Sequence, residues 1–550
     1  MQPHLPGPIA LDSTSEADVL DSWKAIAQYL RRDIRTLQRW ESTKNLPVRR
    51  MPGGDRPGVY ALRSELDAWR RGRDIHLAGA AEPKVVPQPA AATPSVAVLP
   101  FIDLAGDKEK EYFGDGLADE IITALARVPG LRVTARTSSF AFRGKDQDIR
   151  KIASSLNAGA ILEGSVRRSG SRIRVTAQLI NAADGYHLWS QAYDREMAEI
   201  FGIQEDVSRA IVEALRIRLV GAVRPAHRRA ADPEAYRLWL KGRYHCIRHT
   251  PDELLRSRAF FTQSAALDPS FPPAWLGIAE SWWQCAAFGL ESPREAVSIG
   301  RLAVARTLEL DESSGEAHAM LGIYSGLHDF DWAAAEREFN LAVDLGPTSP
   351  EVHLKRAAYL LEPTARVAEA EAELETALEL DPLSPVVLTY LGQCLMFERR
   401  YEEAIERLEE AAEIDPGFWL PRFVLFGTYA FMGNLERSFA IGQHAVGALG
   451  PNPMVLGAVG GVYGMCGRRE EAEKLLGEIH RLGETRYVSP LSIAWVYLGL
   501  GDAEHCLEWL EKAVEAREPQ IMHLAAKPLY DGFRADPRFQ ALIARMGLKG

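Results

Sequence analysis

A short motif recurs along the second half of the chain. It consists of an apolar residue, then an aspartate or a glycine, and usually a proline. The central residues of its copies are Asp268, Asp311, Gly346, Asp381, Asp415 and Gly450. The successive intervals are 43, 35, 35, 34 and 35 residues, and an insertion near 283–292 accounts for the longer first one. A constant period of this length predicts a stacked array of repeats from about residue 232 to the end of the sequence.

Within one period the apolar positions predict two amphipathic helices and then a closing proline, Pro416 in the clearest unit. The apolar and small residues of that unit are Leu388, Leu391, Gly392, Leu395, Ala404, Leu408 and Ala411. This pattern resembles the tetratricopeptide repeat, and seven or eight units are expected. The resemblance implies a concave groove that binds a protein or peptide, although some such solenoids only brace a dimer.

Residues 20–76 show a different pattern, in which apolar positions at helical spacing alternate with short strand-like runs. Ser22 caps a helix with Trp23, Ile26 and Leu30 on one face, and a second helix carries Ile34, Leu37 and Trp40 inward. A two-stranded wing follows at 46–51 and 59–62, and then a closing helix at 64–73. This order resembles the MerR- and excisionase-like winged helix-turn-helix family, although Arg31 stands where the family usually has glycine.

Charge sets this segment apart from the rest of the chain. Residues 21–73 hold 13 basic and 6 acidic residues, whereas the remainder holds 51 basic and 69 acidic ones. A basic head of this kind predicts binding to double-stranded DNA. The second helix would present Arg35, Thr36, Gln38 and Arg39 to bases, and Arg49, Arg50 and Arg56 of the wing would be available for phosphates. Lys44 completes the candidate DNA-binding set.

Residues 77–94 form an Ala/Pro linker, and 95–220 then alternate strand and helix patterns. Strands are predicted at 95–101, 131–135, 160–168, 172–180 and 186–193, and helices at 116–128, 149–156 and 203–219. The runs VLPF (98–101), YFGDGL (112–117), TSSF (137–140), LEGSV (162–166) and QLI (178–180) resemble the TolB-amino-terminal-like domain of bacterial regulators. The relatives usually carry a membrane span or a cyclase domain as well, and neither pattern occurs here.

The fold class expected is therefore multidomain. It comprises a small winged helix-turn-helix, an α/β sandwich with a mixed sheet and an all-α tetratricopeptide-repeat solenoid.

Little in the sequence indicates catalysis. The loop with Gly106, Gly114 and Gly116 has no phosphate-binding Lys-Ser/Thr signature, and Ser138 and Ser139 have no assigned base. His245, Cys246 and His249 offer three local ligands on a repeat helix, a spacing that favours packing over metal binding. We expect no enzyme activity, no cofactor and no metal.

These patterns together predict a cytoplasmic DNA-binding transcriptional regulator. Double-stranded DNA would bind residues 20–76, and a protein or peptide would bind residues 232–550; dimerisation is left open. The location follows from the lack of a signal peptide and of any apolar run of 18 residues. The alternative is a protein-interaction scaffold that does not bind DNA.

Overall fold

The computed structural model describes residues 19–30, 34, 37, 41, 46–50, 59–63, 65–66, 94–103, 112–126, 128, 130–143, 148–169, 172–196, 200–214, 232–449 and 451–548. The chain divides into two compact units, Met1–Ala90 and Ala91–Gly550. Each unit is described by itself below.

In the first unit a helix packs on a small antiparallel sheet. The elements are β1 (Val19–Leu20), α1 (Trp23–Leu30), β2 (Arg49–Arg50) and β3 (Val59–Leu62). β3 lies between the other two strands and is antiparallel to both. The β2–β3 pair confirms the strand pairing predicted for the wing, and β1 was not predicted.

The helix of this unit begins where the sequence indicated, because the Ser22 hydroxyl accepts the Ala25 N–H at 3.2 Å. Ile26, Leu37 and Leu66 are fully buried in its core. The inward placement predicted for Ile34 is wrong, since 41% of its surface is exposed. Trp40 and Trp69 lie outside the described residues.

The second unit begins with a mixed sheet and its helices. These elements are β4 (Ser95–Val98), β5 (Ile102–Asp103), α2 (Tyr112–Ala126), β6 (Arg132–Val133), α3 (Arg136–Phe140), α4 (Ile149–Ser155), β7 (Ala160–Ser169), β8 (Arg172–Asn181), β9 (His187–Glu196) and α5 (Ile200–Ala214). The strand order is β6-β4-β7-β8-β9, with β5 also pairing β7. β4 is parallel to β6 and β7, whereas β7, β8 and β9 are antiparallel.

Alternation along the strands decides which helix covers which face of this sheet. Val96 and Val98 of β4 join the core that contains α2 and α5, whereas Ala97 packs with Ile152 of α4 on the other face. The predicted mixed sheet with helices is confirmed. The two short elements β5 and α3 were not predicted.

Eight helix pairs follow within the described residues. They are α6/α7 (Pro233–Cys246, Pro251–Leu267), α8/α9 (Pro272–Ala287, Pro293–Leu310), α10/α11 (Gly315–Ile323, Trp332–Leu345), α12/α13 (Pro350–Arg356, Val367–Leu380), α14/α15 (Pro385–Phe397, Tyr401–Ile414), α16/α17 (Leu420–Phe431, Leu435–Leu449), α18/α19 (Pro453–Met465, Arg469–Gly483) and α20/α21 (Pro490–Gly499, Ala503–Glu515). One π-helical turn extends α10 (Tyr324–His328) and another extends α12 (Ala357–Leu361).

Small residues let the two helices of a pair approach each other. A Cβ on Gly392 would lie 2.6 Å from Cγ of Leu408, and one on Gly322 would lie 2.7 Å from Cδ2 of Phe339. Both distances are shorter than a carbon–carbon contact allows, so a larger residue at either position would force the facing side chain to move. The role predicted for Gly392 is confirmed.

The chain ends in a segment that is not a further helix pair. It contains the 3₁₀ turns Pro519–His523 and Pro528–Phe533 and the helix α22 (Pro537–Arg545). This segment packs back on the middle of the array, where the Trp332 indole N–H donates to the Met546 carbonyl at 2.7 Å. The array therefore closes on itself.

Candidate functional site

The structure describes only part of the candidate DNA-binding set. Arg49 and Arg50 form β2, and the Arg49 guanidinium donates to the Glu65 carboxylate at 2.6 Å. Arg35, Thr36, Gln38, Arg39, Lys44 and Arg56 lie outside the described residues. Arg49 is thus placed on the strand predicted as the wing, and its ion pair with Glu65 was not foreseen.

In the second unit the repeats surround a cavity of about 1890 Å³. The first helices of successive pairs supply much of its wall, and residues of α2, α3 and the C-terminal segment supply the rest. The open concave groove that the repeat resemblance implied is thus partly occupied by the chain's own elements. A ligand would therefore bind inside a cavity rather than on an open surface of the repeats.

The α/β domain is fastened to the array through Ser138 of α3. The Ser138 N–H and hydroxyl both donate to Oδ1 of Asp381, at 2.9 and 2.5 Å, and the Leu383 N–H donates to the Ser138 oxygen at 2.7 Å. Ser138 and Asp381 are buried. Burial raises the pKa of the Asp381 carboxyl, although the hydrogen bonds from Ser138 oppose that shift.

This bonding pattern replaces a local turn that other repeats retain. The carboxylates of Asp268, Asp311 and Asp415 each accept the N–H of the residue two positions later in their own turn. At Asp381 that N–H, from Leu383, reaches the Ser138 hydroxyl instead. Ser138, which had no assigned role in the sequence, is therefore a residue of the domain junction.

A second junction is ionic and forms one wall of the cavity. The Asp119 carboxylate of α2 lies 3.5 Å from Nη2 of Arg243 on α6 and 3.8 Å from Nε of Arg136 on α3. Burial opposes the charge of Arg243, but Asp119 and nearby glutamates more than offset it, so the pKa of Arg243 is raised. Nothing in the spacing of the sequence could have paired residues so far apart along the chain.

The cavity wall also carries a half-buried lysine–glutamate pair. Nζ of Lys355 on α12 lies 2.5 Å from Oε1 of Glu280 on α8. Burial disfavours the charged lysine, but the adjacent Glu280 carboxylate favours it and the pKa of Lys355 is raised. The charges of Lys355 and Glu280 thus offset each other on this part of the wall.

The histidines and cysteine weighed as metal ligands have other partners. Nδ1 of His245 lies 2.5 Å from Oε2 of Glu253, and burial raises the pKa of the Cys246 thiol to about 11. The His249 ring packs on Phe418, and its carbonyl accepts the Trp419 indole N–H at 2.7 Å. Among the residues that the structure describes, no group of three or more metal-ligating side chains is found.

Comparison with protein families identifies tetratricopeptide repeats in this array. Two family models described as Tetratricopeptide repeat match residues 364–418 and 491–519. The repeat architecture predicted from the sequence is confirmed. No helix in the described part of the chain is long and apolar enough to cross a membrane.

Two curated proteins are similar to longer stretches. A Rhizobium meliloti protein that bears the name adenylate cyclase 3 is 42% identical over 202 residues, which are 36% of this chain and 34% of that protein. The chain thus matches about a third of that relative's length. The transcriptional regulator HilA of Salmonella typhimurium is 22% identical over 441 residues, which are 76% of this chain and 70% of HilA.

Solved structures with similar helix arrangements include human IFIT1 as a dimer with PPP-AAAA, at 16% identity and a TM-score of 0.38 over 58% of this chain and 79% of that one. Pseudomonas aeruginosa PilF follows, at 18% identity and a TM-score of 0.30 over 40% of this chain and 94% of PilF. At these scores the likenesses carry no functional conclusion.

Proposed function

We propose that this protein is a cytoplasmic DNA-binding transcriptional regulator whose repeat array binds a protein or peptide partner. The observation that carries the proposal is the similarity to the transcriptional regulator HilA, which extends over 76% of the chain. The proposal divides the chain into a winged helix-turn-helix at 20–76, a TolB-amino-terminal-like domain at 95–220 and the repeats at 232–550. In this proposal the chain binds and does not catalyse.

The charge of the head supports DNA as its ligand. Residues 21–73 carry an excess of basic groups on an otherwise acidic chain, and such a patch binds a polyanion by releasing its counterions. Arg39 would contact base edges from the second helix, whereas Arg49 and Arg50 on β2 would contact phosphates.

The repeats support a partner at the other end of the chain. Solenoids of this type expose a long surface made of many similar helices, which suits extended partners. A scaffold that does not bind DNA is the second candidate, and the tetratricopeptide-repeat matches at 364–418 and 491–519 favour it.

DNA binding by the full-length protein tests the proposal. Genome-wide mapping of bound DNA would supply the target duplex, and its affinity would then be measured as salt is raised. With four phosphate contacts from Lys44, Arg49, Arg50 and Arg56, the slope of log K against log salt should be about −3 to −4 per protomer. Absence of binding at low salt would favour the scaffold.

Two variants separate the roles of the arginines. Arg50→Ala should weaken binding to all sequences alike and make the salt slope shallower by about 1, whereas Arg39→Ala should relax sequence preference. Binding of target and scrambled duplexes is compared for each variant. Identical effects of the two substitutions would contradict the assignment of Arg39 to bases and Arg50 to phosphates.

A further inference from the structure

One lysine on the cavity wall has no counter-charge. Lys527, in the C-terminal segment, lies half-buried on the cavity surface. Its Nζ makes no hydrogen bond or ion pair with any residue that the structure describes, unlike Lys355, which is paired with Glu280 on the same wall. With no carboxylate to oppose it, burial lowers the pKa of Lys527 to about 8.

Aromatic rings surround this ammonium group. Nζ of Lys527 lies 5.2 Å from the centre of the Trp495 ring and 5.9 Å from that of Phe431. The Trp495 ring is held in place because its indole N–H donates to the Tyr530 hydroxyl at 2.9 Å. Cation–π attraction stabilises the ammonium partly, but none of the described residues accepts a hydrogen bond from it.

A second unsatisfied polar group lies beside the lysine. His523 is 95% buried and lines the same cavity, and its Nδ1 has no hydrogen-bond partner in the described part of the chain. Burial and then the nearby Lys527 charge lower the pKa of His523 to about 3, so the ring is neutral at physiological pH. Because Nδ1 is closed to solvent, the ring can meet a ligand only through Nε2, and a neutral imidazole with its proton on Nε2 donates one hydrogen bond.

Hydrogen bonds and ion pairs fix the C-terminal segment that carries His523 and Lys527. The Arg534 guanidinium donates to the Ala525 carbonyl at 2.6 Å, and the Lys527 N–H donates to the His523 carbonyl at 2.9 Å. Asp531 forms ion pairs with Arg534 and with Arg399 of the loop after α14, which fastens the segment to the array. The position of Lys527 is thus fixed by a folded turn rather than by a flexible tail.

We infer that this part of the cavity binds a small organic acid, with its carboxylate on Lys527 and His523 and its apolar body between Trp495 and Phe431. One cation and one neutral donor match the single charge and two oxygens of a carboxylate. A peptide main chain fits less well, because it brings an amide with every residue and the wall beside Lys527 is formed by aromatic rings that cannot pair with amides.

Calorimetric titration of the full-length protein with acetate, octanoate and 3-phenylpropanoate tests this inference. Octanoate or 3-phenylpropanoate should bind, and acetate and the neutral 3-phenylpropanamide should bind on the order of tenfold more weakly or worse. Lys527→Gln should reduce the affinity for the acids by a similar factor. Lys512→Gln is the matched control, because Lys512 also lies over a tryptophan, Trp509, but is exposed and outside the cavity wall.

The stability of the unliganded variants gives a second readout. Lys527 has no ion pair or hydrogen bond to lose, only the cation–π contacts with Trp495 and Phe431, so the Tm of Lys527→Gln should stay close to that of the parent protein. A marked loss of Tm would mean that the lysine serves the fold, and this result would overturn the inference. Failure of all three acids to bind, or equal binding by Lys527→Gln, would overturn it too. None of these outcomes depends on whether the head binds DNA.

Discussion

Glu362 lies at the end of the π-helical turn that extends α12, and it is 1% exposed. Its Oε2 accepts the Gln393 amide N–H at 3.1 Å, but Oε1 has no partner among the described residues. Burial raises the pKa of this carboxyl to about 8, and the single bond from Gln393 only partly opposes the shift. Glu362 is therefore protonated in the folded protein at neutral pH.

This protonation makes folding pH-dependent. The unfolded chain releases the Glu362 proton near its ordinary pKa of 4.5, whereas the folded chain keeps it until about pH 8. The folded state thus binds more protons in this interval, and the free energy of unfolding falls as pH rises through it. The loss by pH 7 is on the order of 3 kcal/mol.

Replacing Glu362 by Gln should remove this dependence. We expect Glu362→Gln to be more stable than the parent protein at pH 7.5 and about equal to it at pH 4.5, measured as the urea midpoint at each pH. Glu375→Gln, a change at an exposed glutamate of the next helix, is the control. Parallel pH profiles for Glu362→Gln and the parent would show that Glu362 is ionised in the fold.

At the scale of elements, one serine bridges α3 and the turn after α13. Ser138 bridges the Asp381 carboxylate and the Leu383 N–H. In the equivalent turn at Asp415, the aspartate accepts the corresponding N–H directly. Its neighbour Ser139 is equally buried, but its hydroxyl has no partner in the described part of the chain. The two serines therefore differ in what they contribute to the junction.

A double-mutant cycle measures that contribution. Ser138→Ala and Asp381→Ala should each destabilise the second unit, and the pair should show a coupling energy of about 1 to 2 kcal/mol in urea unfolding. Ser139→Ala should leave the midpoint unchanged and should not couple to Asp381→Ala. Additive effects of Ser138→Ala and Asp381→Ala would mean that the junction does not rest on this bond.

At the scale of the second unit, the array is closed by contacts between distant repeats and the C-terminal segment. The Trp332 and Trp419 indole N–H groups donate to the carbonyls of Met546 and His249, each at 2.7 Å. The Trp332 bond joins residues 214 positions apart, so it holds the end of the chain against the third helix pair. Closure of this kind sets the size of the cavity and carries Lys527 to its wall.

Trp332→Phe should loosen the end of the chain without unfolding the repeats. The substitution removes one hydrogen bond to a backbone carbonyl, worth about 1 kcal/mol. Hydrogen exchange should therefore become faster over 519–548 and stay unchanged over 385–414. Trp275→Phe is the control, because the Trp275 indole bonds the Pro269 carbonyl only six residues away. If hydrogen exchange over 519–548 were equal in the two variants, contacts other than the Trp332–Met546 bond would hold the end of the chain against the array.

Local patterns determined much of this architecture. The 34- to 35-residue period, the placement of Gly392 against Leu408 and the Ser22 cap each depend on neighbours within one or two elements, and such dependence is visible in spacing. The alternation of strand and helix patterns over 95–220 likewise predicted a mixed sheet covered by helices. Ile34 was misplaced because helical spacing defines a face but not how deeply each position on that face is buried.

Only the tertiary structure decided which residues far apart in the sequence come into contact. Asp119 meets Arg243, Ser138 meets Asp381 and Trp332 meets Met546 only because the array curves back and the α/β domain lies against it. Periodicity is a local property, whereas the curvature of the array is the sum of many small rotations between successive repeats. The period therefore carries no information on that curvature. The sequence by itself determined that helices stack in repeats; the folded chain decided that they close around a cavity and leave Lys527 unpaired in its wall.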